Sequence, residues 1–513
     1  MSIIRSSRFA RVILPTFAWM IGLHATGKAQ DVLWRRTGPS NWGLTFGETV
    51  RSGGDIDGDG IWDVIAGDPD YTDTLGYSTG GAWVFSGVDG TLLYFLSPNS
   101  GAQEFFGTGV AIGPDIDGDG HADFLVTAPL AAPAGAAYLY SGSDGKVKWS
   151  LKGSTGNNIG GIAAVVRDYD SDGLVDFAIS GRTSAKVVKI LSSASGSEIT
   201  TISDLSVSPG DFGAAIANAG DVNADGVDDL IVGDPFDSTK NVRAGAAFVF
   251  SGADGSEIYE LYEQETDARF GASVAGLGDR NGDGCSEFIV AAPHASNGNG
   301  KAVVYSGKDG SVLRTFVGAS SASFGICVAN AGDMNVDGIA DLYIGAGDPP
   351  DGAVRLFSGR DGTFLYHFST FREPFGTGFG KSCADLGDVD GDGRPDLVVS
   401  APYAAAGSGA ICAISGNDWF LDVSDKYPIA GETVTFSMAL TNAGSLAGLF
   451  LVDVNLVPTP APLAIGHCDG TGRYIVSGSV PSGLTGVNVA LLSIGVDPAG
   501  RLVDSSVEWI FFQ

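Results

Sequence analysis

The sequence predicts an all-β fold: a seven-bladed β-propeller over residues 31–418, followed by a small C-terminal β-sandwich over 419–513. Three observations predict it. An aspartate-rich loop recurs seven times at a spacing of roughly 55 residues, from Asp55 to Asp388, and a long fixed period marks a stacked or ring-shaped repeat architecture. Each copy sits in a frame with room for four short strands, the content of one propeller blade. The 513 residues include 77 glycines, about twice the usual share. That many glycines dissolve long helices and suit a turn-rich β protein.

Composition excludes other classes. Acids outnumber bases by 60 to 29, a formal charge of −31, yet hydrophobic residues make up 44% of the chain. There is ample apolar material for a core, so this is not a disordered acidic chain. A net acidic surface with no basic stripe repels phosphate, which argues against a nucleic-acid partner.

The N-terminus carries Arg5, Arg8 and Arg11, then the short apolar run Val12 to Leu23, then the small residues Gly27 and Ala29. This pattern predicts a secretory signal peptide over 1–29. The run is too short for a comfortable membrane helix, and no later stretch is long and apolar enough. The expected location is outside the cytoplasm: extracellular, cell surface or periplasm.

Each repeat opens on a glycine eight residues before the first loop aspartate: Gly47, Gly107, Gly160, Gly213, Gly271, Gly325 and Gly380. Six of these follow phenylalanine, and the third follows Ile159. After the loop comes a β-type run such as Val64-Ile65-Ala66, and in five repeats a proline (Pro69, Pro129, Pro235, Pro293, Pro402). A hairpin with an Asp-Gly turn completes the unit, as at Asp89-Gly90, Asp144-Gly145, Asp254-Gly255, Asp309-Gly310 and Asp361-Gly362. The segment Asp31-Val32-Leu33-Trp34 matches the outer strand at Ser311-Val312-Leu313-Arg314 and is expected to close the ring. Trp419-Phe420-Leu421 competes for that place.

The loop reads D-x-[DN]-x-D-G-x-x-[DE], and positions 1, 3, 5, 7 and 9 are the expected metal ligands. They are Asp55, Asp57, Asp59, Ile61 and Asp63 in the first copy, and Asp115, Asp117, Asp119, His121 and Asp123 in the second. The third has Asp168, Asp170, Asp172, Leu174 and Asp176; the fourth Asp221, Asn223, Asp225, Val227 and Asp229. The fifth has Asp279, Asn281, Asp283, Cys285 and Glu287; the sixth Asp333, Asn335, Asp337, Ile339 and Asp341. The seventh has Asp388, Asp390, Asp392, Arg394 and Asp396.

Calcium is a hard cation that takes 6–8 oxygen ligands. Glycine at position 6 permits the sharp turn that lets those oxygens converge. Position 7 is expected to offer its backbone carbonyl, so its side chain is free to vary. A metal-free surface turn is the alternative for one copy, but seven copies in one register leave it little room, because unpaired carboxylates this close repel. An EF-hand is excluded: position 12 is apolar in every copy, where an EF-hand needs glutamate. The expectation is Ca²⁺, up to seven ions, one per blade.

The Phe-Gly, the acidic loop and the proline-ended tail together resemble FG-GAP repeats, the units of the integrin α-subunit N-terminal propeller. The resemblance spans about residues 31–418. It implies a seven-bladed propeller with Ca²⁺ in loops on the lower face and partner binding chiefly on the upper face. In integrins only some blades carry the loop, whereas here all seven do.

Other residue sets give less. Cys285, Cys327, Cys383, Cys412 and Cys468 form no CxxC pair and read as small buried hydrophobes; one disulfide is possible among them. Gly76-Tyr77-Ser78-Thr79-Gly80 fits a nucleophile elbow, but a strand and not a helix is expected to follow. Asp204-Leu205-Ser206-Val207-Ser208 fits a D-x-S-x-S metal motif in a linker and reads as chance. No catalytic residue and no organic cofactor is assigned. The expected function is an adhesion or protein- and glycan-binding module with an unidentified extracellular protein or glycan as partner. The alternative is a carbohydrate-active enzyme or lectin on the same scaffold, and a pocket with aromatic walls and acids would favour it.

Overall fold

The computed structural model describes residues 32–416, apart from 40–44, 74–75, 99, 155–158, 182–185, 205–209, 319–322, 348–351, 370–377 and 405–407, and the strands between Leu421 and Phe511. The expected signal peptide, residues 205–208 of the D-x-S-x-S motif, Trp419, Phe420 and Cys468 lie outside the described residues. One compact unit spans Val32–Asn417, and a second contains 418–513.

The first unit is a seven-bladed β-propeller. Seven four-stranded antiparallel sheets follow one another along the chain. The first blade runs Thr49–Ser52, Val64–Asp68, Gly81–Phe85, Leu92–Leu96 from the axis outward. The two middle strands are buried along their whole length, because each faces a neighbouring blade on both sides. That double burial explains why they read as unbroken apolar runs and not as alternation. The outermost strand is half-exposed.

Ring closure falls to the N-terminal strand, as the sequence match predicts. Val32–Thr37 pairs antiparallel with Ala410–Ile414, Trp34 opposite Ala413 and Arg36 opposite Ile411. It is the outer strand of the seventh blade. Leu421 of the competing segment pairs with Met438 in a different sheet.

Two repeated contacts join blade to blade. The phenylalanine before each opening glycine is almost fully buried (Phe46, Phe106, Phe212, Phe270, Phe324, Phe379), and Ile159 takes the same role. The following glycine has a positive φ, +90° at Gly107, where an added Cβ would stand 2.1 Å from the Gly81 carbonyl oxygen. Only glycine fits. The second contact is an aromatic latch. Trp34 donates its ring N–H to the Gly87 carbonyl at 2.6 Å, and its ring lies against Gly90 of the next blade's Asp-Gly turn. Tyr94 does the same to Gly142 (2.7 Å), Trp149 to Ser193 (2.7 Å) and Tyr259 to Gly307 (2.6 Å).

The second unit holds two antiparallel sheets. One has three strands, among them Thr433–Ala439 and Arg473–Ser479. The other has four: Leu446–Val454, Ala461–His467, Asn488–Val496 and Leu502–Phe511.

Candidate metal centres

An antiparallel meander alternates its connections between two faces. The loop between the first and second strands therefore shares a face with the hairpin turn between the third and fourth. All seven acidic loops and the Asp-Gly turns lie on that face. The proline-ended connections and the Phe-Gly segments lie on the opposite one.

The loops share one hydrogen-bond scheme. Asp55 at position 1 accepts from the N–H of Gly58 (2.6 Å), Asp59 (3.0 Å) and Gly60 (2.8 Å). Asp115, Asp168 and Asp279 repeat all three bonds. Asp221, Asp333 and Asp388 repeat those to positions 5 and 6. Gly60 at position 6 has φ +90°, and nothing stands within 4 Å of an added Cβ. Glycine is needed there for its backbone, not for space. The position 5 carboxylate accepts from the N–H of position 7, as Asp59 does from Ile61 at 2.9 Å.

Position 9 behaves differently. Asp63, Asp123, Asp176, Asp341 and Asp396 are fully buried, and Asp229 and Glu287 nearly so. Asp63 takes the N–H groups of Ile56 (2.7 Å) and Asp57 (3.1 Å) on one oxygen and that of Gly87, at the end of the third strand, on the other (2.9 Å). The link to the third strand recurs in five more blades, through Gly142, Ser193, Gly252, Gly359 and Gly416. In the fifth blade Glu287 instead takes the Asn281 side-chain amide at 2.8 Å. Burial pushes Asp63, Asp341 and Asp396 up to about 7, against the pull of their N–H donors. A carboxylate in that condition favours a nearby cation.

The carboxylates also converge. Asp55, Asp57 and Asp63 each bring an oxygen within 4.8 Å of the others. Asp115, Asp117 and Asp123 do likewise, as do Asp168, Asp170 and Asp176, and Asp279, Asp283 and Glu287. Asn223, Asn281 and Asn335 keep the position 3 bond to the N–H of position 5 at 2.9 Å each. All these side-chain donors are oxygen, the set a hard cation prefers. The residues present fit Ca²⁺.

Loop two has an internal cation. Lys148, on the outer strand of its blade, ion-pairs with Asp117 and with Asp123, the latter at 2.9 Å. Asp119 turns instead to the Ser143 hydroxyl, 2.6 Å away. The corresponding outer-strand residues are Leu93, Ile199, Ile258, Leu313 and Leu365. In loop six Arg360 lies 3.4 Å from Asp337.

Sequence reasoning missed what position 7 side chains do. His121 Nδ1 lies 2.8 Å from the Ile56 carbonyl, and Arg394 donates to the Met334 carbonyl at 2.9 Å. Each reaches position 2 of the loop in the preceding blade. The aspartates of the Gly-Asp-Pro connections were also missed. Asp68 accepts from Thr45 and Asp234 from the N–H of Asp211, both are buried, and burial pushes both up to about 6. Asp234 forms a cluster with Asp204 and Asp237, and Lys186 pairs with Asp204 at 2.6 Å.

The opposite face holds a pocket between the connections of neighbouring blades, lined by Phe236, Arg269, Pro293, His294, Ser323 and Lys381 among others. The Arg269 guanidinium lies over the Phe236 ring, 5.5 Å from its centre. At the suspected elbow, Ser78 bridges to Thr72 and the strand Gly81–Phe85 follows, so the strand–turn–helix context is absent there. No helix among the described residues is long and apolar enough to cross a membrane.

Comparison with known proteins agrees with this architecture. An FG-GAP-like repeat family matches residues 333–399, and the FG-GAP repeat family matches 106–140. The chain is 32% identical to integrin alpha-V of Gallus gallus over 209 residues, which cover 37% of this chain and 20% of that one. It is 32% identical to integrin alpha-4 of Xenopus laevis over 148 residues (26% and 14%). It is 30% identical to integrin alpha pat-2 of Caenorhabditis briggsae over 227 residues (38% and 18%). The matches thus span a fifth or less of each of these relatives. The chain carries FG-GAP repeats arranged as an integrin-α-like seven-bladed propeller.

Proposed function

We propose that this protein is an exported, calcium-stabilised propeller that serves as an adhesion or protein- and glycan-binding module, with no catalysis of its own. The observation that carries the reading is the division of labour between the faces. One face holds seven oxygen-rich loops, each anchored by a buried position 9 carboxylate. The other holds connections of varied sequence and the Arg269 pocket. The similarity to integrin α subunits supports the same assignment.

Asp55, Asp57, Asp59 and Asp63, with their counterparts in the other blades, would hold the ions. Bound Ca²⁺ supplies positive charge that lets clustered carboxylates coexist. The chain's own contribution is to hold the loop backbone through the position 1 acid and to fasten it to the third strand through position 9. On the opposite face, Arg269 and Lys381 line the pocket, and each also faces an acid of this chain, Asp267 at 3.7 Å and Glu48 at 3.4 Å. A partner's acidic group, such as a protein carboxylate or an acidic glycan, would compete with those acids for the two cations.

The test is a protein and glycan array probed with the mature chain, with calcium and with chelator. Selective, calcium-dependent binding that Arg269→Ala and Lys381→Ala weaken supports the reading. Turnover of a glycan, or binding untouched by both variants, counts against it.

A further inference from the structure

We propose that Cys327 and Cys383 form a disulfide that covalently joins the sixth blade to the seventh. Cys327 directly precedes the inner strand Val328–Asn330, and Cys383 opens the inner strand Cys383–Gly387. Both thiols are buried, and their sulfurs lie 2.8 Å apart. Non-bonded heavy atoms settle at about 3.5–4.0 Å, so the pair is already inside ordinary contact, with no other side chain between the two sulfurs.

The register supports the link independently of the distance. Cys327 stands two residues after its opening glycine, and Cys383 three after its own. That pair of positions joins neighbouring blades elsewhere in the ring. Ser273 accepts the N–H of Val328 across the fifth and sixth blades at 3.0 Å. Ser382 accepts the N–H of Val50 across the seventh and first at 3.2 Å. Between the sixth and seventh blades, sulfur replaces the hydroxyl and meets a second sulfur. The fold therefore uses this place as a blade-to-blade staple, and here the staple has the chemistry to become covalent.

The reaction needs a disulfide oxidant such as oxidised glutathione. The Cys327 thiolate attacks one of its sulfurs and releases one glutathione thiol. Cys383 then loses its proton and attacks the Cys327 sulfur of the mixed disulfide, releasing the second. Two protein thiols are oxidised and one glutathione disulfide is reduced to two thiols. The hydrogen bond from Cys383 and the Arg51 guanidinium both favour the thiolate at Cys327, against the effect of burial. Because the closed ring buries both groups, exchange belongs to folding, before the sixth and seventh blades dock.

The experiment refolds the full chain in a mixture of reduced and oxidised glutathione, alkylates it, and maps its peptides without reduction. Three free thiols of the five, with Cys327 joined to Cys383, is the expected result. Reductant is then expected to lower the melting temperature of the wild type by about 5 °C and to leave the double variant Cys327→Ala/Cys383→Ala unmoved. Five free thiols in the folded wild type, or a bridge to Cys285, Cys412 or Cys468, overturns the proposal. The peptide map stands on the wild type alone, so a variant that fails to fold leaves the test intact.

Discussion

Gly87 donates its backbone N–H to Asp63 at 2.9 Å, and that one bond fastens the acidic loop to the far end of the third strand of its own blade. A Cβ at Gly87 would stand 1.9 Å from the Trp62 carbonyl oxygen, so the approach depends on glycine. The ninth loop position is thus a structural carboxylate as well as a candidate ligand.

From this we expect Asp63→Ala to differ in kind from Asp59→Ala. The first strips three N–H groups of a buried acceptor, at about 1–3 kcal/mol for each one left unsatisfied. The second removes an exposed ligand, weakening one ion site and leaving the ring folded. Chemical denaturation in chelator separates them: Asp63→Ala lowers the midpoint there, and Asp59→Ala does so only when calcium is present.

Chelation is expected to lower the melting temperature, and Ca²⁺ to restore it better than Mg²⁺. For a site of about 10⁻⁴ M, the weak range of extracellular modules, 1 mM Ca²⁺ contributes about 1.4 kcal/mol. An identical melting curve in calcium and in chelator would remove the ion from the account.

The metal-free protein has a definite pH trend. Asp63, Asp341 and Asp396 titrate near 7 in the fold, against about 3.9 in an unfolded chain. Between those values the folded state binds more protons. Their contribution is therefore complete below about pH 4 and is lost as pH rises through 7. Calcium favours the ionised carboxylate and flattens the trend. Melting scans from pH 4 to 8, with chelator and with calcium, read it directly.

Lys148→Leu is expected to improve the second loop as an ion site, because the lysine ammonium sits on Asp117 and Asp123, where a metal would bind. Metal content at limiting free calcium should rise by up to one ion per chain. An unchanged count would show that the lysine swings aside at no measurable cost.

Trp34→Ala removes the latch from the closing strand to the first blade, a ring only 5% exposed. A loss of about 3–5 kcal/mol is expected, with increased proteolysis of the N-terminal strand. Phe95→Ala, on a half-exposed outer strand, serves as the control.

The repeat made the blade count legible, since each Phe-Gly, acidic loop and Asp-Gly turn is a local pattern with a local cause. Ring closure was legible for the same reason: Val32-Leu33-Trp34 has the lettering of an outer strand. Contacts between blades were not. Nothing at Tyr94 or Trp149 announces that its polar tip reaches a carbonyl about 45 residues ahead. Cys327 and Cys383 are separated by one repeat and become neighbours only when the blades stand side by side. Lys148 was passed over because a lone lysine in a strand looks like a solvated side chain. Only when the outer strand Val147–Lys152 folds alongside the rest of its own blade does the lysine meet Asp117 and Asp123.

The closing strand also fixes the order of events at the ribosome. Val32–Thr37 emerges first, and its partner Ala410–Ile414 follows more than 370 residues later, on the order of 20–75 s at usual elongation rates. Throughout that interval a ribbon holding Leu33 and Trp34 has no sheet to join. The nascent chain must keep this edge from pairing with neighbours on the same message, a task suited to a holding chaperone.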